Sequence, residues 1–259
     1  MSQSPSTDER TICVRQTSDP TVVLVHGFLD DARIWDEVAA ALPWQTRTVE
    51  LADVPVGLDA FAEHVAAIVD NDVNGDVVLV GQSMGCQVAE LASLRRPDRV
   101  TGLVLITPVP LQGVSLPDEI ANSLRSCGGH QELQLGIRTQ FGTHLPHDKI
   151  PQLLDSGMRL TPEQVAATFD AWSSGHSEGA APTRVTAPIQ LIVSDSDPVV
   201  SGPLLEDLIL PRFPGAAIVT IASSGHWPHV EQPSQVVEAI SRFVTATHSL
   251  NPPTPTETP

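Results

Sequence analysis

Short β-branched runs recur along the chain: TICVRQ (11–16), TVVLV (21–25), RTVEL (47–51), DVVLV (76–80), VTGLVLIT (100–107), IQLIV (189–193) and AIVTIA (217–222). Most are apolar throughout rather than alternating, and helix-length segments at 31–42, 58–71, 84–95, 203–210 and 234–247 separate them. Continuously apolar strands divided by helices imply a parallel sheet covered on both faces, a doubly wound α/β pattern. The alternation stops between residues 108 and 188. There DEIANSLRS, QELQLGIRTQF, HDKIPQLLDSGM and TPEQVAATFDAW all read as helical and no strand is evident. This division predicts a core domain of residues 1–107 and 189–247, a helical insertion of residues 108–188 over one end of the sheet, and a disordered Pro/Thr-rich tail at 248–259.

Composition narrows the function. The 14 basic and 31 acidic side chains give a formal charge of −17, which repels phosphate backbones and anionic lipid, so neither nucleic acid nor a membrane is an expected partner. No apolar run approaches the roughly 20 residues of a membrane span. The start, MSQSPSTDER, lacks the basic and apolar parts of a secretory signal. The three cysteines, Cys13, Cys86 and Cys127, are widely spaced and suggest neither a disulfide framework nor zinc, which fits a cytoplasmic protein. Tyrosine is absent, leaving Ser, His, Asp and Glu to carry acid, base or nucleophilic chemistry.

The segment VLVGQSMGCQVAELASLRRP (78–97) runs a strand into a helix through Gly81-Gln82-Ser83-Met84-Gly85. A turn this sharp leaves no room for side chains two positions either side of its centre, so both are glycine and Ser83 stands at the apex. The following helix aims its free NH groups at the same point. A serine hydroxyl is a weak nucleophile until an imidazole takes its proton. His226, in TIASSGHWPHVEQP, lies a short connection beyond the last strand, and His229 is its rival; His26 is read as bracing its own loop. A carboxylate must then hold the imidazole, and IQLIVSDSDPVV offers Asp197, with Asp195 as runner-up and turn cap. For the oxyanion of acyl transfer, the backbone NH groups of Met84 and Phe28 are the expected donors, with Gly27 allowing close approach.

In VLVHGF, VGQSMG, IVSDSDPVV and SGHWPHVEQP the chain resembles the α/β-hydrolase family, over about residues 20–245, in the order nucleophile, acid, histidine. The resemblance to its serine esterase and lactonase branch implies a core sheet, a helical cap formed by residues 108–188, a pocket between cap and sheet, and no cofactor. Two features depart from the family's pattern. ELADVPVGLDAF replaces a glycine-rich Asp loop, which predicts a more open entrance there, and Cys86 replaces a glycine as a small packing residue.

Hydrolysis of a carboxylic ester or lactone is the first functional reading. Carbon–carbon bond hydrolysis, cofactor-free peroxidase or oxygenase chemistry, and a non-catalytic small-molecule receptor stand as alternatives. Phe28, Trp172 and Trp227 are expected to line an apolar substrate pocket. Leu116, Ile120, Leu124, Leu133, Leu135, Ile137, Phe141, Leu154, Met158, Phe169 and Trp172 supply the insertion's core and pocket wall. The histidines of the insertion, His130, His144, His147 and His176, lack metal-ligand spacing, so no metal is expected. A small molecule is the expected partner of a monomer or homodimer, and Arg95, Arg96 and Arg99 form a candidate basic patch.

Overall fold

A computed structural model describes residues 19–200 and 202–249. The expected strand at 11–16, Cys13 and residues 250–259 of the expected tail lie outside the described residues. Six strands form one sheet in the order β2-β1-β3-β4-β5-β6. They are β1 (Thr21–Val25), β2 (Thr46–Val49), β3 (Val77–Gln82), β4 (Val100–Ile106), β5 (Ile189–Ser194) and β6 (Ala217–Ile221). Every pairing is parallel, for example Val25 against Gly81 and Ile106 against Ile192.

Burial explains the apolar runs. All residues of β1 and β3 are buried, because helices cover both faces, whereas the edge strand β6 exposes Ile218. On one face α2 (Leu58–Asn71) packs on α3 (Met84–Arg95), and α3 packs on β1, β3 and β4. On the other, α1 (Asp36–Ala41) packs on α9 (Pro233–Ser249), which also lies on β4, β5 and β6. From Met84 to Ser93 every residue of α3 is buried, which accounts for its weak polar face.

The expected helices 58–71 and 84–95 coincide with α2 and α3. The segment 31–42 divides instead into a 3₁₀ turn, Ala32–Trp35, capped by the Asp31 carboxylate, and then α1. The segment 203–210 is a π-helical turn, Leu204–Ile209, followed by a 3₁₀ turn. At the C-terminal side α9 continues to Ser249, so residues 248 and 249 are helical rather than the start of a tail.

Four α-helices, one 3₁₀ turn (Ser177–Ala180) and no strand of the sheet lie between β4 and β5; the α-helices are α4 (Asp118–Ser126), α5 (Gln131–Phe141), α6 (Ile150–Met158) and α7 (Pro162–Ser174). Helix α7 begins with a reciprocal cap. Thr161 Oγ1 accepts from Gln164 N at 3.2 Å while Gln164 Oε1 accepts from Thr161 N at 2.9 Å. The insertion is tied to the core by Arg33–Asp155 at 2.7 Å and by Gln164 Nε2, which donates to Ala52 O at 3.1 Å. Among the described residues no helix is long and apolar enough to cross a membrane.

Candidate active site

Parallel strands bring their carboxyl ends to one edge, and the chain's chemistry gathers there. Ser83 leaves β3 with φ 52° and ψ −119°, a conformation costly for a residue with a Cβ. The glycines around it are required by backbone, not by side chains. A Cβ at Gly81 would lie 2.2 Å from Gly85 O, and one at Gly85 would lie 2.4 Å from Val25 O. Leu29, Thr107 and Ser223, the other non-glycine residues with positive φ among those described, follow β1, β4 and β6 at the same edge.

Ser83 Oγ lies 2.9 Å from His226 Nε2, and His226 Nδ1 lies 2.9 Å from Asp197 Oδ2. A carboxylate only accepts, so the proton belongs on Nδ1 and Nε2 is left as the acceptor facing Ser83. All three residues are buried. Burial alone would raise the Asp197 carboxyl. The charge and hydrogen bond of His226 and the NH groups of Val199 and Val200 outweigh it and hold the group below its ordinary value. Asp195 stands apart, accepting from Ser223 N at 2.9 Å and Ser224 N at 3.3 Å as a turn cap.

The rival His229 is fully enclosed. Its ring lies 4.4 Å from that of Trp35, neither ring nitrogen has a hydrogen-bond partner, and burial, followed by the charges of His226 and Arg138, pushes its pKa down to about 3. His26 Nδ1 bonds Gly27 O at 2.9 Å, and its Nε2 lies 3.7 Å from Glu50. Burial would lower its pKa, but Glu50, Gly27 O and Asp30 raise it overall. The Cys86 thiol is buried and donates to Gly81 O at 3.2 Å, and burial raises its pKa well above the ordinary thiol value.

Phe28 and Met84 flank Ser83 from two sides: Met84 opens α3, and Phe28 follows Gly27, where an added Cβ would lie 3.2 Å from Ser83 Cβ. The Met84 NH opens a helix and so has no intrahelical acceptor, and the Phe28 NH makes no backbone hydrogen bond among the described residues.

A cavity of about 260 Å³ opens onto Ser83 and His226. Phe28, Trp172 and Trp227 line it, together with Leu116, Ile120 and Phe141; among the described residues its only side chains with polar hydrogen-bonding groups are Gln82, Ser83, His226 and the indoles of Trp172 and Trp227. Part of the expected insertion core is overturned: Leu133, Leu135 and Met158 are exposed, because α5 and α6 turn those positions outward. Leu51, Ala52 and Val56, on the side where a more open entrance is expected, do not line this cavity; with Phe28, Met84 and Gln164 they line a second, smaller one of about 30 Å³, and Gln164 of α7 bonds Ala52 O beside it. The basic patch is partly neutralised. Arg95 pairs with Asp59 and Arg96 with Asp70, while Arg99 donates to Val73 O and Gly75 O. Among the described residues no group of three or more His, Cys, Asp or Glu side chains is arranged to hold a metal.

Four supporting residues escape a reading of the sequence. Gln82 Nε2 donates to His226 O at 2.9 Å and Thr107 Oγ1 at 3.2 Å, fixing the histidine's carbonyl. Glu231 accepts from Gly225 N and Trp227 N on either side of His226. Arg138 of α5 and Asp30 form a buried ion pair at 2.7 Å. The contact is close but poorly aligned, because Arg138 Nη2 also donates to Leu29 O at 2.8 Å and the guanidinium lies over the Trp227 ring at 4.7 Å. Asp30 Oδ2 in turn accepts from the Trp227 indole at 3.1 Å. Gln82 and Arg138 are polar residues beside apolar neighbours, Asp30 and Glu231 lie in more polar stretches, and none of these contexts identifies a partner.

The chain is similar to known proteins over most of its length. The chain is 24% identical over 248 residues to a putative esterase/lipase of Haemophilus influenzae, covering 89% of this chain and 85% of that one. It is 26% identical to the esterase YbfF of Escherichia coli, covering 88% and 94%. Its fold matches that of a thermophilic esterase from Thermogutta terrifontis with a TM-score of 0.72 at 22% identity, over 88% of this chain and 90% of that one. A model described as the alpha/beta hydrolase family matches residues 22–239, and with the parallel sheet and the strained turn at Ser83 this makes the chain a member of the alpha/beta hydrolase family.

Proposed function

We propose that the protein is a serine hydrolase that cleaves a carboxylic ester or lactone with an uncharged, apolar acyl part through an acyl-enzyme on Ser83. The observation that carries this reading is the continuous hydrogen-bonded series Ser83–His226–Asp197 opening into an apolar cavity. Ser83 Oγ attacks the carbonyl carbon as its proton passes to His226 Nε2, and Asp197 stabilises the imidazolium through Nδ1–H. The NH groups of Phe28 and Met84 receive the oxyanion, each worth a few kcal/mol by analogy with measured donors, about 3–4 kcal/mol. His226 then protonates the leaving alkoxide. Water deprotonated by the same Nε2 attacks the acyl carbonyl, and collapse returns the proton to Ser83 and releases the acid. The four helices between β4 and β5 act as the cap over this cavity.

The cavity wall also favours this chemistry over carbon–carbon cleavage of a dienoate. Among the described residues no Lys or Arg lines it. A substrate carboxylate buried there would lose its hydration without gaining a counter-charge, a penalty of several kcal/mol.

A panel of p-nitrophenyl esters of increasing chain length, lactones, a diketone and an ester with a carboxylate at the end of its acyl chain tests the reading, run on wild type and Ser83→Ala. Neutral esters or lactones should turn over, the carboxylate-bearing ester should be the poorer substrate, and Ser83→Ala should lose the activity. Full activity in Ser83→Ala would point to oxygenase-type chemistry, and failure of a fluorophosphonate to label Ser83 in the folded protein would point to a receptor.

A further inference from the structure

Glu231 ends the single turn α8 (Pro228–Glu231), five residues after His226, and its side chain is buried. A carboxylate in such a place needs either a cation or several NH donors. Among the described residues its donors are all main-chain NH groups. Oε2 accepts from His144 N at 2.7 Å and Gly225 N at 2.9 Å, and Oε1 accepts from Trp227 N at 3.2 Å. Two of those residues are the immediate neighbours of His226; the third lies between α5 and α6 of the insertion.

The NH and carbonyl of His226 are held as well. Its NH donates to Phe141 O at 2.9 Å, and its carbonyl accepts from Gln82 Nε2 and Thr107 Oγ1. The histidine loop lies backbone to backbone on the α5–α6 connector, for a Cβ at Gly225 would sit 2.4 Å from Phe141 O and 2.7 Å from Thr143 N. Only a carboxylate offers two acceptor atoms and no donor, so no other side chain can receive three converging NH groups at once.

We propose that Glu231 is a positioning residue for His226: it locks the histidine loop to the α5–α6 connector, so that the imidazole reaches Ser83 only while that part of the insertion is seated. Glu231 touches none of the reacting atoms and acts through the backbone on either side of the histidine. The catalytic consequence rests on the serine-hydrolase reading above, whereas the anchoring of the loop does not.

Glu231→Gln keeps the shape but turns an amide NH₂ toward one of the donors, and Oε1, with its single bond to Trp227 N, is the end more easily given up. A displacement of the imidazole by a fraction of an ångström to one ångström lowers kcat by about 10–100-fold. KM for a neutral p-nitrophenyl ester should stay near the wild-type value, since Glu231 does not line the cavity. Fluorophosphonate labelling of Ser83 should slow in parallel with kcat. Amide hydrogen exchange at Gly225 and Trp227, which requires no substrate, should accelerate. Wild-type kcat, a change in KM alone, or unchanged exchange at both amides would overturn the proposal. If Glu231→Gln does not fold, Glu231→Asp keeps the charge one methylene short of its donors and is read by the same measurements. If wild-type protein neither hydrolyses esters nor reacts with the probe, the hydrolase reading fails, and the exchange data still decide the anchor.

Discussion

Replacing His229 by Phe isolates an acid sensitivity built into the core. In the folded protein this imidazole has a pKa of about 3, against an ordinary value of 6.5, because burial and the nearby charges of His226 and Arg138 disfavour its protonated form. Between those values the unfolded chain binds a proton that the folded chain does not, so stability rises with pH and is lost as pH falls below 6.5. Integrated over that difference, the loss is about 2 kcal/mol at pH 5 and only about 0.2 kcal/mol at pH 7. Urea melts of wild type and His229→Phe at both pH values measure it, with the ring kept to stack on Trp35. Wild type should lose about 2 kcal/mol more than the variant on going from pH 7 to pH 5. Any packing change caused by the substitution is independent of pH and cancels. The raised His26 contributes with the opposite sign, its stabilisation being present below 6.5 and lost as pH rises through its folded value, and it too cancels because both proteins retain it. The depressed Asp197 loses its stabilisation only below the ordinary carboxylate value of 3.8, outside the window. Equal pH dependence in the two proteins would refute the argument.

Other outcomes follow from the same geometry. Asp197→Asn should lower kcat by about 10⁴ while leaving KM for a neutral ester near wild type, because the amide favours the wrong imidazole tautomer; a loss under about tenfold would remove Asp197 from the proposed triad. Arg138→Met strands the buried Asp30 and should cost about 3–5 kcal/mol. In a thermal melt each kcal/mol lowers Tm by about 2–4 °C, and Asp30→Asn added to Arg138→Met should recover part of the loss in a double-mutant cycle. Ile120→Trp narrows the cavity from α4 and should shift the preferred p-nitrophenyl ester toward shorter acyl chains, while an unchanged chain-length profile would show that acyl groups do not occupy that wall.

Much of the fold was legible because its signals are local. Strands β1 and β3 are buried at every position and apolar but for Thr21 and Gln82, since both faces of the sheet are covered, and α2 carries an amphipathic apolar spacing of its own. The helices of the insertion were readable for the same reason, whereas the orientation of α5 and α6 was not. Leu133, Leu135 and Met158 have the chemistry of core residues, yet they face solvent because a helix's exposed side depends on what it packs against. The shape of the side near residues 50–57 was likewise beyond local reading, because Gln164, 112 positions away, bonds Ala52 O there and shares a small second cavity with Leu51, Ala52 and Val56.

The chain by itself determined that a serine would stand at a strand-to-helix turn, that a histidine would follow the last strand, and that a carboxylate would follow the strand before it. Each of these is fixed by chain neighbours and by the parallel sheet, which carries every strand's C-terminal end to one edge. Only the tertiary structure decided that Asp197 rather than Asp195 meets the imidazole, that His229 is sealed against Trp35, and that Glu231, Arg138, Asp30 and Gln82 brace the loops around Ser83. The physical reason is direction. Residue type and spacing place a side chain near an edge, but a hydrogen bond needs its two atoms within about 3 Å and aligned, and that depends on loop paths set by residues distant in sequence.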